Sequence, residues 1–196
     1  MVLLTSNGLS SKKLVKDITP YITNRNKAVV ITTASFPFKE NDKHIPRITK
    51  ELKSLGLSVD YFDFDTDNHE LLLQYDVIEI NGGNPFYLLA AIKKADAETL
   101  VKQISKEKLL IGISAGSIIM QKDMNLIAEF TPEMNDTVNL PDFSALGIVD
   151  VQIIPHYHKF IHKFDSFEQR IKKYELDNNC SVLRMDDGDG LFVEVK

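Results

Sequence analysis

The sequence predicts an α/β fold with a mostly parallel central sheet flanked by helices. Short β-rich runs alternate with longer helical patterns, which is typical of βαβ units. Several of these runs are continuously apolar, as expected for strands covered on both faces. The chain has 196 residues, of which 43% are hydrophobic and 26% charged, and this size and composition are typical of one globular domain. We therefore expect residues 1–196 to form a single domain.

The predicted strands share runs of aliphatic and β-branched residues. They are MVLLT (1–5), KAVVITT (27–33), LSVDYFDF (57–64), DVIEI (76–80), KLLIGI (108–113) and VDVQIIP (149–155). The C-terminal CSVLRMDDGDGLFVEV (180–195) predicts two more strands joined by an Asp/Gly turn. We expect these last two strands to form a C-terminal β-hairpin.

Apolar residues at helical spacing predict helices between the strands. KHIPRITKELKSLG (43–56) ends at Gly56, a residue that favours a helix C-terminus. NPFYLLAAIKKADAETLVKQI (84–104) opens with an asparagine N-cap followed by proline at the first helical position. FDSFEQRIKKYELDNN (164–179) predicts a further helix. Residues 125–146 are the least regular stretch, and we interpret them as a loop that covers a site.

Charge, apolar run lengths and cysteine content exclude several classes of function. The net charge is −5 and the pI about 5.5, so no basic surface indicates a nucleic-acid partner. No apolar run approaches the roughly 20 residues of a membrane helix, and MVLLTSNG is too short for a signal peptide. The single cysteine, Cys180, cannot form an internal disulfide and fits a reducing compartment. We expect a cytoplasmic protein without a membrane partner.

A serine between two glycines, Gly112-Ile113-Ser114-Ala115-Gly116, follows a predicted strand and precedes a helix-like stretch. This is the context of a nucleophile elbow, in which small neighbours allow a sharp turn. The turn would place the serine hydroxyl at the carboxyl edge of the sheet, where ligands of open α/β folds bind. Ser114 is therefore a candidate nucleophile, and a small residue in a tight turn is the alternative.

A serine nucleophile needs a base, and three histidines cluster in IIPHYHKFIH. His156 follows a predicted strand directly, so it should emerge at the same sheet edge as Ser114. His156 is our candidate base, His158 is the alternative, and His162 is assigned to the next helical segment. No glutamate follows His158 as a His-Glu-x-x-His zinc motif requires. We therefore predict no metal and no cofactor.

The turn MDDGDG offers three carboxylates that could orient the base: Asp186, Asp187 and Asp189. Asp and Gly are also ordinary turn residues, so a purely structural role is the alternative. The chain order of the α/β-hydrolases, Ser then acid then His, would instead require Asp136 or Asp142 as the acid.

A second glycine element, EINGGNPF, follows the predicted strand DVIEI and leads into a helix. Gly82 and Gly83 should therefore also lie at the carboxyl edge of the sheet. A backbone N–H from this element and the N–H of Ala115 could together stabilise an oxyanion. The alternative is a simple helix-entry turn.

Five segments, in this order along the chain, resemble the serine peptidases of the aspartyl dipeptidase (peptidase E) and cyanophycinase type. They are NGGNPFYLL, GISAGSIIM, DFSALGIVDVQIIPHY, FEQRI and DDGDGLFVEV. The resemblance implies a fold similar to class I glutamine amidotransferases and a Ser-His-acid triad. An amidotransferase proper would have cysteine where this chain has Ser114.

The resemblance also implies roles for individual residues. It places the nucleophile at Ser114, the base at His156 and the acid at Asp187, where many members have glutamate. The oxyanion hole falls on the N–H groups of Gly83 and Ala115.

A segment like Arg-Glu-Glu-Arg-Ile follows the histidine in the aspartyl dipeptidases, and here it reads FEQRI. One arginine, Arg170, remains as a candidate that grips a substrate carboxylate as a bidentate fork. Surface salt bridging on a helix is the alternative role.

Together these observations predict a serine exopeptidase that hydrolyses dipeptides or short peptides, with N-terminal aspartate or another acidic residue as one candidate preference. An esterase or other acyl hydrolase is one alternative, and a non-catalytic small-molecule or peptide binder is the other. A short peptide is the expected partner, and a homodimer is left open.

Overall fold

The computed structural model describes residues 1–195. Its strands are β1 (Val2–Thr5), β2 (Lys27–Ile31), β3 (Ser58–Phe62), β4 (Val77–Ile80), β5 (Leu109–Ile113), β6 (Gln152–Ile154), β7 (Val182–Arg184) and β8 (Gly190–Val193). The central sheet has the strand order β3-β2-β4-β5-β1-β8. Neighbouring strands from β3 to β1 pair in parallel, and β8 runs antiparallel to β1 at the edge. The predicted α/β class and mostly parallel sheet are confirmed.

Helices connect and flank the strands. They are α1 (Lys12–Ile22), α2 (Ile45–Ser54), α3 (Pro85–Lys94), α4 (Glu98–Glu107), α5 (Ala115–Ile118), α6 (Asn125–Phe130), α7 (Tyr157–Ile161) and α8 (Phe167–Asn178). The single helix predicted for residues 84–104 is two helices, α3 and α4. Asp96 between them adopts a positive φ of 53°, a left-handed conformation that interrupts an α-helix.

Successive residues of each strand enter two cores on opposite faces of the sheet, as strand geometry requires. Leu3 packs with Ile18 and Ile48 on the face covered by α1 and α2, which we call the α2 face. Leu4 packs with Phe86 on the face covered by α3 to α6 and α8, which we call the α3 face. Strands β1, β2, β4 and β5 are covered on both sides, which explains their apolar sequences. The edge strand β3, SVDYF, is largely exposed.

The two predicted C-terminal strands are present, but their pairing needs a correction. β8 pairs with β1 in the central sheet, whereas β7 pairs in parallel with β6 in a separate two-stranded sheet. The expected hairpin is thus replaced by two pairings, because the edge of β1 is available to β8. The Asp/Gly turn between β7 and β8 therefore bridges the two sheets and lies beside the end of β1.

The segment 125–146 is more regular than the sequence indicates, since it contains α6 and a short 3₁₀-helix, Pro132–Asn135. The apolar residues Leu126, Ile127 and Phe130 of α6 are buried against the α3-face core. Within residues 1–195, none of the helices combines the length and apolar character needed to cross a bilayer.

A carboxyl group lies in the interior of the sheet. Glu79 of β4 is 0% exposed, and neither of its carboxyl oxygens has a hydrogen-bond partner among the described residues. Burial and then the nearby Glu51 carboxylate raise the pKa of Glu79 to about 8, against a lowering effect of Arg47. Glu79 is therefore mostly protonated at neutral pH, since an unpaired carboxylate is costly in the interior.

This buried acid predicts a pH-dependent stability. Glutamate in the unfolded chain loses its proton near its ordinary pKa of 4.5, but folded Glu79 keeps it up to about 8. Unfolding thus releases a proton between these values, and stability falls as the pH rises through this window. Glu79→Gln cannot ionise, so we expect the Tm of this variant minus that of wild type to increase from pH 5 to pH 8 in thermal melts. A constant Tm difference would contradict this assignment.

Candidate active site

Ser114 lies at the sharp turn between β5 and α5. Its backbone has φ 48° and ψ −106°, a strained conformation for a residue with a side chain. The Ser114 N–H donates to the Thr5 carbonyl at 2.9 Å. This hydrogen bond extends the pairing of β5 with β1 by one residue beyond the end of β5. The serine is therefore held at the carboxyl edge of the sheet by strands β5 and β1.

Glycines on either side of Ser114 permit this turn by leaving room for backbone. A Cβ on Gly116 would lie 2.1 Å from the Ile80 carbonyl oxygen, and one on Gly112 would lie 2.7 Å from the Ser117 nitrogen. Both positions are too close for a real carbon atom. The packing of α5 against β4 and β5 thus requires glycine at both places.

Ser114, His156 and Asp187 form a continuous hydrogen-bonded chain. The Ser114 Oγ lies 3.0 Å from His156 Nε2, and His156 Nδ1 lies 2.6 Å from Asp187 Oδ1. When Nδ1 carries the ring proton and donates to the carboxylate, Nε2 is free to accept the serine proton. The three residues come from the ends of β5 and β6 and from the turn after β7.

The other histidines and aspartates considered from the sequence have different partners. Asp186 accepts from the His158 backbone N–H at 2.6 Å and lies 3.0 Å from His158 Nδ1. Asp189 accepts from the Asp186 N–H at 2.9 Å. Asp142 accepts from the N–H and hydroxyl of Ser144. These contacts fix the β7–β8 turn, the start of α7 and a local loop.

The environment of Asp187 stabilises its charged form. Burial raises the pKa of Asp187, but hydrogen bonds from Lys159, His156 and Ser6 outweigh it and lower the value to about 2. Lys159 Nζ lies 2.5 Å from Asp187 Oδ2. Asp187 is therefore a carboxylate throughout the physiological pH range and can hold the Nδ1–H of His156.

Ser6 is a further member of this cluster that the sequence analysis missed. Its side chain is buried, and its hydroxyl donates to Asp187 Oδ1 at 3.0 Å. Ser6 Oγ also accepts a hydrogen bond from the backbone N–H of His156 at 2.9 Å. Ser6 thus connects the histidine and aspartate segments to the end of β1. Ser6 directly follows the predicted strand MVLLT, and this position could have identified it as a candidate site residue.

The NGG element lies against the serine turn. A Cβ on Gly82 would be 3.3 Å from Ser114 Cβ, and one on Gly83, where φ is 139°, would be 2.1 Å from the Ala34 carbonyl oxygen. Among the described residues, the N–H groups of Gly83 and Ala115 donate to no other backbone group. Their role as oxyanion-hole donors stays a prediction.

A cavity of about 490 Å³ is lined by Ser114 and His156 and spans the carboxyl edge of the sheet. Ile118, Ile127 and Met134 line it from the α3 face, and the last two come from the segment 125–146 that we expected over a site. Polar residues line it from the α2 side, including Asp42, His44 and Arg47. Among residues 1–195, no group of three or more His, Cys, Asp or Glu side chains is arranged to hold a metal ion.

Arg170 is not among the residues that line this cavity. Its guanidinium carbon lies 4.3 Å from the centre of the Phe130 ring, and its Nη2 donates to the Glu129 carbonyl at 2.5 Å. Arg170 therefore ties α8 to α6. Its role in substrate binding stays a prediction, and the side chain would have to leave Phe130 to take it up.

A parallel α/β sheet with a strained serine at a strand-to-helix turn, bonded to histidine and then to aspartate, is the arrangement of serine hydrolases. The sequence model of peptidase family S51 matches residues 2–196 of the chain. The chain belongs to peptidase family S51 and is a serine-type peptidase, which confirms the resemblance to peptidase E.

Individual relatives agree with this assignment. The uncharacterized peptidase Lmo0363 of Listeria monocytogenes is 31% identical over 73% of this chain and 74% of its own length. Peptidase E of Streptomyces coelicolor is 30% identical over 81% of this chain and 65% of its own length. A solved structure of a candidate peptidase E protein from L. monocytogenes EGD-e superposes with a TM-score of 0.73, at 27% identity, over 98% of this chain and 93% of that one.

Proposed function

We propose that this protein is a cytoplasmic serine exopeptidase that hydrolyses dipeptides or short peptides through a Ser114–His156–Asp187 triad. The observation that carries the proposal is the hydrogen-bonded chain in which Ser114 Oγ lies 3.0 Å from His156 Nε2 and His156 Nδ1 lies 2.6 Å from Asp187 Oδ1. This chain supplies a nucleophile, a base within reach of its proton, and a carboxylate that orients the base.

In the acylation step, Ser114 Oγ attacks the peptide carbonyl carbon while its proton passes to His156 Nε2. The carbonyl oxygen becomes an oxyanion, which accepts hydrogen bonds from the N–H groups of Gly83 and Ala115. Collapse of this intermediate breaks the C–N bond, and His156 gives its proton to the leaving amine. The product is an acyl-enzyme on Ser114 and a free amine.

In the deacylation step, a water molecule gives a proton to His156 Nε2 and attacks the acyl carbon. The proton then returns to Ser114 Oγ as the ester bond breaks, which releases the carboxylic acid and restores the enzyme. Asp187 remains a carboxylate throughout and stabilises the imidazolium that forms twice in the cycle. Its low pKa, about 2, suits this role.

The class of substrate that is hydrolysed distinguishes the proposed peptidase from an acyl hydrolase of another kind and from a non-catalytic binder. We expect hydrolysis of dipeptides and tripeptides in a panel that also contains decapeptides, blocked peptides and p-nitrophenyl esters. Ester turnover without peptide turnover would indicate an acyl hydrolase of another kind. Absence of all turnover in a folded protein would favour the non-catalytic binder and would overturn the proposal.

Ser6 has a predicted positioning role in this mechanism. Ser6→Ala removes one hydrogen bond from Asp187 and one acceptor from the His156 backbone N–H, and it leaves the Ser114 hydroxyl in place. A hydrogen bond to a charged group contributes about 1.5–3 kcal/mol, so we expect kcat to fall about 10- to 150-fold with KM nearly unchanged. Steady-state kinetics on the best dipeptide of the panel measure both constants.

Ser6→Thr is the matched control, because it keeps the hydroxyl that bridges His156 and Asp187. We expect this variant to retain most of the wild-type kcat. A role that is only structural would instead lower the Tm of Ser6→Ala and leave the kcat of the folded fraction unchanged. That result would remove Ser6 from the account.

A further inference from the structure

We propose that the α2-face end of the active-site cavity is a carboxylate-binding subsite, in which Arg47 holds a carboxylate of the peptide substrate. The inference rests on the proposed function and adds to it the charge of the group that the substrate must carry. Arg47 lines the same cavity as Ser114 and His156. It belongs to α2, a helix that the sequence analysis did not connect with the site.

The Arg47 guanidinium is oriented before any ligand arrives. Its Nη1 donates to the Asn7 carbonyl at 3.1 Å and also contacts the Glu51 carboxylate, and its Nη2 donates to Asn7 Oδ1 at 3.0 Å. Glu51 is fixed in turn by the Leu9 N–H, which donates to its Oε2 at 3.1 Å. An arginine fixed in this way loses little side-chain freedom when it binds a ligand.

The contacts of Arg47 leave part of its hydrogen-bonding capacity unused. A guanidinium has five N–H groups, and three of these make the contacts with Asn7 and Glu51. The Nε–H and the second Nη2–H have no partner among the described residues, and the side chain is 35% exposed. Two adjacent N–H groups of this kind match the two oxygens of a carboxylate.

Few unpaired negative charges oppose an anion at this end of the cavity, since Glu51 is already paired with Arg47. His44 and Arg47 line the α2 end, and Asp42 is the acidic residue among the cavity-lining side chains. Lys159, which also lines the cavity, is already paired with Asp187. Glu79, the carboxyl beneath this region, is mostly protonated at neutral pH because burial raises its pKa to about 8. It therefore adds little negative charge to oppose a bound carboxylate.

Two other basic side chains near the site make cation–π contacts with aromatic rings. Lys163 lines the cavity, and its Nζ lies 4.8 Å from the centre of the Phe164 ring. Arg170 is outside the cavity and stacks on Phe130. Arg47 is thus the cation in this region that combines a fixed orientation, unused N–H groups and a position on the cavity wall.

A short peptide offers a carboxylate from two sources, the C-terminal α-carboxylate and an acidic side chain. A set of four substrates distinguishes them: Asp-Ala, Asn-Ala and the C-terminal amide of each. Loss of a bidentate, charge-assisted pair changes affinity by about 10- to 100-fold. These substrates form two kinds of pair, a free C-terminal acid against its amide and Asp against Asn. We expect wild type to prefer the carboxylate-bearing member of one kind of pair by about this factor in kcat/KM.

Arg47→Gln should bring that ratio close to one, mainly by raising KM for the carboxylate-bearing substrate. Lys50→Gln is the matched control, since it removes one positive charge from an exposed position of the same helix, and we expect it to keep the wild-type ratio. Arg47→Lys keeps the charge without the planar fork and should give an intermediate ratio. It also provides the test if Arg47→Gln fails to fold.

The outcomes separate the subsite from the proposed function. Collapse of the acid-to-amide ratio assigns the subsite to the C-terminal carboxylate, and collapse of the Asp-to-Asn ratio assigns it to an acidic side chain. If wild type hydrolyses all four substrates equally, or if Arg47→Gln keeps the wild-type ratio, the subsite is refuted while the peptidase stands. If wild type hydrolyses no peptide, the proposed function itself fails.

Discussion

Ser114→Ala is expected to lower kcat/KM for peptide hydrolysis by about 10⁴- to 10⁶-fold, the range seen when the nucleophile of a triad is removed. The hydroxyl is the atom that forms the acyl-enzyme, and no other group at the turn replaces it. Alanine keeps the Cβ and the backbone hydrogen bond to Thr5. We therefore expect a Tm close to that of wild type.

The measurement is the initial rate of amine release from the best dipeptide, at enzyme concentrations high enough to detect the residual rate. Ser10→Ala, at an exposed serine near the N-terminus, is the control and should keep the wild-type rate. A Ser114→Ala protein that retains more than about one hundredth of wild-type activity would contradict the role of Ser114 as nucleophile.

Gly116→Ala is expected to have the largest effect on stability. Its Cβ would lie 2.1 Å from the Ile80 carbonyl oxygen, and because that contact is with backbone, α5 must move away from β4. Overpacking of this kind costs about 3 kcal/mol or more, which corresponds to a Tm decrease of roughly 6–12 °C in a domain of this size. The movement also displaces Ser114, so activity should fall as well.

Gly147→Ala is the matched control, since φ is +60° there but no atom lies within 4 Å of the added Cβ. A left-handed residue with a side chain costs about 1–2 kcal/mol, so its Tm should fall less than that of Gly116→Ala. Thermal melts followed by circular dichroism compare the two variants. A Tm loss in Gly116→Ala no larger than that in Gly147→Ala would show that the contact with Ile80 does not set the requirement for Gly116.

The central sheet was predictable because its strands are buried on both faces. Runs such as KLLIGI and DVIEI carry this burial in their composition, and their boundaries agree with the structure within one residue. Pairing was harder to predict. β6 joins β7 in a second sheet and β8 joins β1, and both choices depend on which edges are free in three dimensions. The local sequence of a strand does not indicate which edges of other strands are free to pair with it.

The candidate site was predictable where a residue directly follows a strand. Ser114 and His156 each come just after a strand, which was the signal that selected them. Because β6 lies outside the central sheet, the 3.0 Å contact between the two side chains depends on how the two sheets pack. The choice of Asp187 over Asp186 depended on the resemblance, since either could occupy an Asp/Gly turn. Ser6 and Arg47 carry no motif, and their places in the site come from contacts between segments far apart in the chain.

The most direct test of the Ser114–His156–Asp187 triad is the reaction of the wild-type protein with a fluorophosphonate, followed by peptide mapping with mass spectrometry. We expect one adduct per chain, located on Ser114, and at least about a 100-fold slower labelling rate in His156→Ala. An adduct on another residue, no adduct on folded wild type, or a labelling rate that does not depend on His156 would contradict it.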